Sequence, residues 1–346
     1  MEDVIDAGYH RWLGWWAMSG DVLIRQLEYL VALARERHFG RAAQACHVSQ
    51  PALSAAIRKL EHELDVTIVQ RGQRFNGFTA EGRRVVGWAH RILAERDGLR
   101  ADLDRMREGL SATLRIGAVP TAIPATPLIT ARFCSVHPMA RVQIEALSSR
   151  EIARRLADFE LDVGVTYLDD ESAPSMRTAE LYHERYLLML PAGDPLAALS
   201  VVDWAAAARL PLCALTTDMR NRRILDTIMA AAGAQLTPVV ETDNVGALYA
   251  HVASRELASI VSHAWLHAFG VPDGMVVRPL AEPHPRPSVG LVALHQDPPS
   301  IVADALWEAM DGVDIATDLA DSLTLLEQGP AGQPTRTTRS STTSCT

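Results

Sequence analysis

Four cysteines among 346 residues, none of them spaced as C-x-x-C, give this chain neither a disulfide framework nor a zinc site. Apolar runs are short as well, and none approaches the ~18–20 residues that a membrane span requires. The N-terminus carries acidic Glu2, Asp3 and Asp6 in place of a basic leader region, so the expected location is the cytoplasm, away from any membrane. Motifs that build common catalytic sites, G-x-S-x-G, the Walker loop and G-x-G-x-x-G, do not occur, and catalysis has no evident carrier. Positive charge is also in deficit: the net is −9, which over the whole chain argues against a nucleic-acid partner.

The distribution of that charge reverses the last point. Between Ile24 and Arg84 ten basic residues stand against six acidic ones, a basic module inside an acidic whole. Hydrophobic residues at 48% and charged residues at 22% are ordinary for a globular protein, and the length suits two or three domains. A basic reader joined to a separate acidic module is the division of labour these numbers suggest.

Helical periodicity begins at Ile24, with Leu27, Leu30, Val31 and Ala34 on one face, and returns over 51–64 with Leu53, Ile57, Leu60 and Leu64. A short helix over 41–46 lies between, which makes a helix-turn-helix. Two extended pieces around Gly72 and Gly77, within 67–79, are expected to form a β-hairpin wing. From Thr79 to about 109 runs a long helix on which Val85, Ala89, Ile92, Leu99, Leu103, Met106 and Leu110 alternate by fours and threes, with Arg96 in the missing place. Held for so long, that stripe is expected to be a dimer seam.

Beyond Ser111, strand-like runs beginning at Leu114, Val142, Leu161, Tyr186, Leu210, Pro238 and Ser288 alternate with helical stretches at 127–136, 151–159, 222–232 and 244–254. Such alternation implies α/β lobes, two of them here. The last stretch, built from Gly, Pro, Ser, Thr and Arg, cannot bury enough to offset ordering and is expected to be disordered.

The helix-turn-helix carries the chemistry of a DNA reader. Ala42 and Ala43 allow close helix crossing, Ser49 can cap the next helix, and Pro51 fits its first turn, where a missing N–H costs nothing. With Leu53, Ile57, Leu60 and Leu64 inward, Gln50, Ala52, Ser54, Ala55 and Arg58 face out. Gln50 and Ser54 can bond base edges, Pro51 and Ala52 can touch a thymine methyl, and Arg58 can reach a guanine or a phosphate. Arg41, Arg71 and Arg74 would hold phosphates. Amphipathic helices with a few arginines would by themselves fit an ordinary three-helix bundle.

The string QLEYLVALARERHFGRAAQACHVSQPALSAAIRKLEHEL tips the balance: it resembles the DNA-binding domain of LysR-type transcriptional regulators, and its wording resembles their OxyR-like branch. The resemblance implies Gln50, Pro51 and Ser54 at the DNA, Arg71 near the wing, and dimers that often pair into tetramers on interrupted palindromes. Many family members carry an arginine after the serine, where this chain has Ala55.

On this basis residues 1–22 are an extension, one that a start codon assigned upstream of the true one, at Met18 or Val22, would explain. Residues 23–82 form the winged helix-turn-helix, 79–110 the linker and dimerisation helix, 112–326 the effector domain and 327–346 the tail. That effector domain more loosely resembles the family's two-lobed α/β domain, similar to periplasmic solute-binding proteins, with lobe 1 over 112–184 and 288–326 and lobe 2 over 185–286. Ligands in such folds lie against loops at the carboxyl ends of strands. This singles out Pro120 and Thr121, Ser148 and Ser149, Tyr167, Thr216 and Thr217, with Asn244 opening a later helix. Hydroxyls, amide and helix N-termini suit a small anion or polar metabolite.

OxyR-type proteins sense peroxide through two cysteines of the second lobe. Laid over 216–233, that pattern puts Arg220 and Met229 where the cysteines would be, while Cys134 and Cys213 lie elsewhere in apolar surroundings. A cysteine-pair switch is therefore not expected. The partners implied are promoter-region duplex DNA, a small-molecule effector, further copies of the chain and RNA polymerase, with no cofactor. Two other classes fit the sequence less well. His263 and His267 stand one helical turn apart like metal ligands, but Ala264 replaces the glutamate of H-E-x-x-H. A pure solute-binding protein would need export, for which no signal is present.

Overall fold

The computed structural model describes residues 24–70, 75–107, 110–168, 176–296 and 299–327. The extension, Arg71, Arg74 and the tail from 328 onward lie outside the described residues. Contacts divide the chain into two units, Met1–Leu110 with Ala157–Glu160, and Ser111–Leu156 with Leu161–Thr346.

The first unit is helical. Helix α1 (Ile24–Glu36) buries Leu27, Leu30 and Leu33; α2 (Phe39–Ala45) buries Ala42 and Ala43; α3 (Gln50–Glu63) buries Leu53, Ile57 and Leu60. The two alanines bring α2 close to its neighbours, and each large aliphatic side chain removed from water contributes roughly 1.5–3 kcal/mol. Helix starts are fixed by side chains: His38 Nδ1 accepts from the N–H of Gly40 at 3.0 Å, and Ser49 Oγ accepts from the Ala52 N–H at 3.3 Å. After α3 the Glu61 carboxylate accepts from the N–H groups of Ile68 (2.7 Å) and Val69 (3.0 Å), which fastens the next strand to the helix. Val69 then pairs antiparallel with Phe78, and Phe75 lies edge-on to both Phe39 and Phe78. These contacts form the described base of the expected wing.

Helix α4 (Ala80–Arg107) starts at Thr79, whose Oγ1 accepts from Gly82 N–H at 2.8 Å. Gly82 passes so near α3's outgoing strand that a Cβ there would sit 2.1 Å from the Ile68 carbonyl oxygen. The seam expected along α4 is split. Ala89 is buried against Leu27, Leu30 and Leu60, with Val85 packed on the same cluster, so these positions serve the first unit's own core. Arg96, the charged interruption, is bonded to Glu28 and Asp97. Among the described residues, the large apolar side chains exposed on α4 are Trp88, Ile92, Leu99 and Leu103. Among the described residues no helix is long and apolar enough to cross a membrane.

Among the described residues the second unit holds three sheets. Strands β1 (Thr113–Ala118), β2 (Arg141–Ala146), β3 (Val163–Tyr167), β4 (Met176–His183) and β10 (Ser288–Leu294) form one sheet in the order β2-β1-β3-β10-β4. β1 is parallel to both β2 and β3, while β10 is antiparallel to β3 and β4. Helices α5 (Thr126–Val136) and α6 (Ser149–Ala157) connect the parallel strands and bury Ile129, Phe133, Ile152 and Leu156. In the second lobe β5 (Tyr186–Pro191) pairs with β8 (Ser259–Ser262) and β9 (Met275–Pro279), and β6 (Cys213–Leu215) runs parallel to β7 (Val240–Thr242). A bridge from Leu212 to Ala258 links the two strand groups. Around them lie α7 (Trp204–Ala207), α8 (Arg220–Ala231), α9 (Val245–Ala253) and α10 (His263–Phe269), and α11 (Ile301–Ala309) and α12 (Ile315–Glu327) close the described chain. The chain passes from the first sheet to the second lobe after β4 and returns before β10.

Candidate functional site

On the first unit the described residues singled out for DNA reach solvent to different degrees. Arg41, Ser49, Gln50, Pro51 and Arg58 are exposed, and Ser54 is half-buried between Leu53 and the outer face of α3. Gln50 and Pro51 stand in the first turn of α3, where Pro51 has no N–H to leave unpaired and Ser49 takes that of Ala52. Arg41 is held by its own unit: its Nη2 donates to the Glu36 carbonyl at 2.6 Å. Neither the His38 cap nor the Glu61 clamp was legible in the sequence, since each acts through backbone groups brought near only by folding.

On the second unit parallel pairing decides the geometry. Because β1, β2 and β3 run the same way, the loops that follow them leave the same sheet edge, and Pro120, Thr121, Ser148, Ser149 and Tyr167 meet there. They line a narrow cavity, too tight in this closed arrangement to hold a water molecule, whose opposite wall is Leu215, Met219, Arg220 and Asn221 from the second lobe. Thr216, Thr217 and Asn244 are not among its lining residues. The Asn244 carboxamide instead accepts from Ala247 N–H at 3.0 Å as the cap of α9, and Thr217 is exposed. Arg220 and Asn221 take their place because the turn from Thr216 to Met219, closed by Met219 N–H on the Thr216 carbonyl at 3.0 Å, presents the start of α8 to the cavity.

Behind this wall lies a buried relay. Tyr167 donates to Glu184 Oε2 at 2.7 Å, and Tyr186, on another sheet, donates to the same oxygen at 2.7 Å. As Tyr167's one proton is committed, the Thr121 hydroxyl, 2.9 Å away, donates to Tyr167 and keeps only lone pairs for the cavity. Glu184 is wholly buried, which pushes its carboxyl pKa up against the pull of the hydroxyls around it. Adjoining it is a second cavity of about 30 Å³, open in part to solvent and lined mainly by aliphatic side chains of the second lobe and by Trp265. Thr121, Leu215 and Asn221 line both.

Neither Cys134 nor Cys213 lines the small cavity. Cys213 is buried in the larger cavity's wall, which raises its thiol pKa. Cys134, expected in apolar surroundings, is exposed instead, because it lies on the outer face of α5 opposite Ile129 and Phe133. Met229 is buried and Arg220 faces the cavity.

Residues 24–83 match the family described as bacterial regulatory helix-turn-helix protein, lysR family, and residues 107–313 match the LysR substrate binding domain. The chain belongs to the LysR family of transcriptional regulators. This LysR-type chain is therefore a DNA-binding transcriptional regulator with a C-terminal effector domain. It is 32% identical over 299 residues to the DNA-binding transcriptional dual regulator OxyR of Escherichia coli, covering 84% of this chain and 96% of that one. It is 39% identical over 150 residues to the hydrogen peroxide-inducible genes activator of Dickeya chrysanthemi, 43% of this chain and 49% of the relative. A full-length OxyR variant from Pseudomonas aeruginosa superposes with a TM-score of 0.67 at 27% identity, over 86% of this chain and 98% of that one. The CbnR regulator bound to its target DNA gives 0.62 at 18% identity, over 84% and 99%, a likeness of fold.

Proposed function

We propose that this regulator reads promoter DNA through α3, with Gln50 and Ser54 on base edges, Pro51 on a thymine methyl, Ser49 at the groove's rim, and Arg41, Arg58, Arg71 and Arg74 on phosphates or, for Arg58, a guanine. The observation that carries this is the exposed, capped N-terminal turn of α3, with Arg41 and Arg58 also exposed on the same unit. The exposed stripe Trp88, Ile92, Leu99 and Leu103 supports pairing of two chains along α4, so that two recognition helices meet half-sites about one DNA turn, ~34 Å, apart. An effector taken between the lobes of a domain spanning 112–326, with 185–286 as the second lobe, shifts their closure and thereby the spacing of the paired helices. The protein acts in the cytoplasm and is not an enzyme.

Gel retardation of the region upstream of its own gene tests the DNA reading. Wild type should retard the fragment with an affinity that falls steeply with salt. Gln50→Ala with Ser54→Ala should abolish sequence-specific retardation, and a double variant that still selects its fragment rules α3 out as the reader. For the effector, a thermal-shift screen of metabolites should yield one whose shift is lost in Thr121→Val.

A further inference from the structure

We propose that the second lobe carries an anion site of its own, apart from the inter-lobe cleft, which takes the dianionic head of a small phosphate monoester between Arg185 and Arg286.

The site is a cavity of about 160 Å³, open in part to solvent, against about 30 Å³ for the one beside Trp265. None of its lining residues lines either of the other two cavities. Space of this size takes in a molecule on the scale of benzene, for which ~150 Å³ suffices. Folding assembles the wall from distant stretches: Arg185 and Tyr186 lead into β5, Trp204 opens α7, and Leu280, His284 and Arg286 come from the segment between β9 and β10.

Charge selects the head. Arg185 and Arg286 are exposed, and neither pairs with a carboxylate among the described residues. His284 is engaged with Glu282, to which its backbone N–H donates at 2.9 Å and near which its Nε2 lies at 3.4 Å. No lining residue is acidic. Two uncompensated guanidiniums therefore line one cavity, and a ligand charge of about −2 balances both. A phosphate monoester carries roughly that charge near pH 7 and offers three oxygens to the forked donors of arginine, whereas a carboxylate or a phosphodiester brings only about −1.

The floor is apolar. Trp204 Nε1 already donates to the Ala281 carbonyl at 2.8 Å, and the Tyr186 hydroxyl to Glu184 at 2.7 Å, so both side chains offer the cavity their rings and no spare proton. A short organic group on the phosphate lies against these rings and Leu280, with each buried methylene tightening binding about fourfold.

Arg185 follows Glu184 where the chain enters the second lobe, and Arg286 precedes Pro287 where it returns; the Glu184 N–H donates to the Pro287 carbonyl at 2.9 Å. An anion held by both arginines thus fastens the two crossings together beside the bond that already joins them.

Calorimetric titration of the full chain at pH 8 with ethyl phosphate, diethyl phosphate and inorganic phosphate separates head from tail. Ethyl phosphate should bind at least about tenfold tighter than diethyl phosphate, which lacks one charge, and at least about fourfold tighter than inorganic phosphate. Arg185→Gln and Arg286→Gln should each weaken ethyl phosphate at least about fivefold, and both positions are exposed, so the fold should survive. Hydrogen exchange of the wild-type chain should slow over 184–187 and 280–288 when ethyl phosphate is added. Ethyl phosphate that binds no tighter than either of the others, that is indifferent to both substitutions, or that fails to bind at millimolar concentration overturns the proposal. Slowing confined to α3, where the DNA-reading arginines would hold the phosphate instead, or to the loop around Thr121, overturns it as well.

Discussion

Tyr167 and Glu184 are joined by a 2.7 Å hydrogen bond that ties the last parallel strand of one lobe to the crossing into the other. Tyr167→Phe removes one of the two tyrosine donors from a buried carboxylate and should cost about 1–3 kcal/mol in urea unfolding. Because burial has raised the Glu184 pKa, the folded state holds that proton more tightly than the unfolded state, and stability falls as pH climbs above the usual carboxylate range. Tyr167→Phe should steepen that fall and Glu184→Gln should remove it; a Glu184→Gln profile identical to wild type would show that the carboxyl stays in one state throughout.

His263 gives the opposite dependence. Burial, aided by the nearby Arg185 charge, lowers its pKa to about 4, and its Nδ1 accepts from the Arg185 N–H at 3.1 Å. The unfolded chain takes up this proton near the ordinary histidine value, ~6.5. Stability is therefore complete above that value and lost as pH falls toward 4, by up to about 3 kcal/mol. Urea midpoints of wild type and His263→Gln between these limits should converge as pH drops, and parallel curves would contradict it.

Gly82→Ala places a Cβ 2.1 Å from a backbone carbonyl that cannot move without shifting the strand after α3. A loss of about 2 kcal/mol or more is expected, with DNA retardation weakened at elevated temperature. Gly87→Ala, which meets nothing within 4 Å, is the control and should be neutral or stabilising. Equal stability of the two variants would remove the close approach.

Leu99, 62% exposed, and Leu103 should mediate self-association along α4. Leu99→Glu with Leu103→Glu is expected to sediment as a monomer at micromolar concentration with unchanged helical circular dichroism, and to lose most of its DNA affinity. Sedimentation equal to wild type would place the dimer contact elsewhere.

Local chemistry made much of this legible in advance. The helix-turn-helix could be read because each signal, the Leu53, Ile57, Leu60 stripe and the Ser49 and Pro51 start, is contained within one turn or two. The lobes could be read because alternating strands and helices admit few arrangements, although β4, β8 and β9 carried no clear alternation and came to light only in the pairing. Pro120, Thr121, Ser148, Ser149 and Tyr167 could be grouped from sequence since loops after parallel strands share an edge.

Tertiary structure decided the rest, and for one reason: sequence specifies what a side chain can do, and only packing specifies what it is left to do. Asn244 and Arg220 both stand at a helix start, although the sequence placed only Asn244 there. Folding spent the first on capping α9 and turned the second into the cavity. Val85 and Ala89 belong to the same heptad as Leu99, yet α1 covers the former pair and leaves Leu99 exposed. Glu184 carried no motif at all; it became the meeting point of two lobes because Tyr167 and Tyr186, on different sheets, reach the same oxygen.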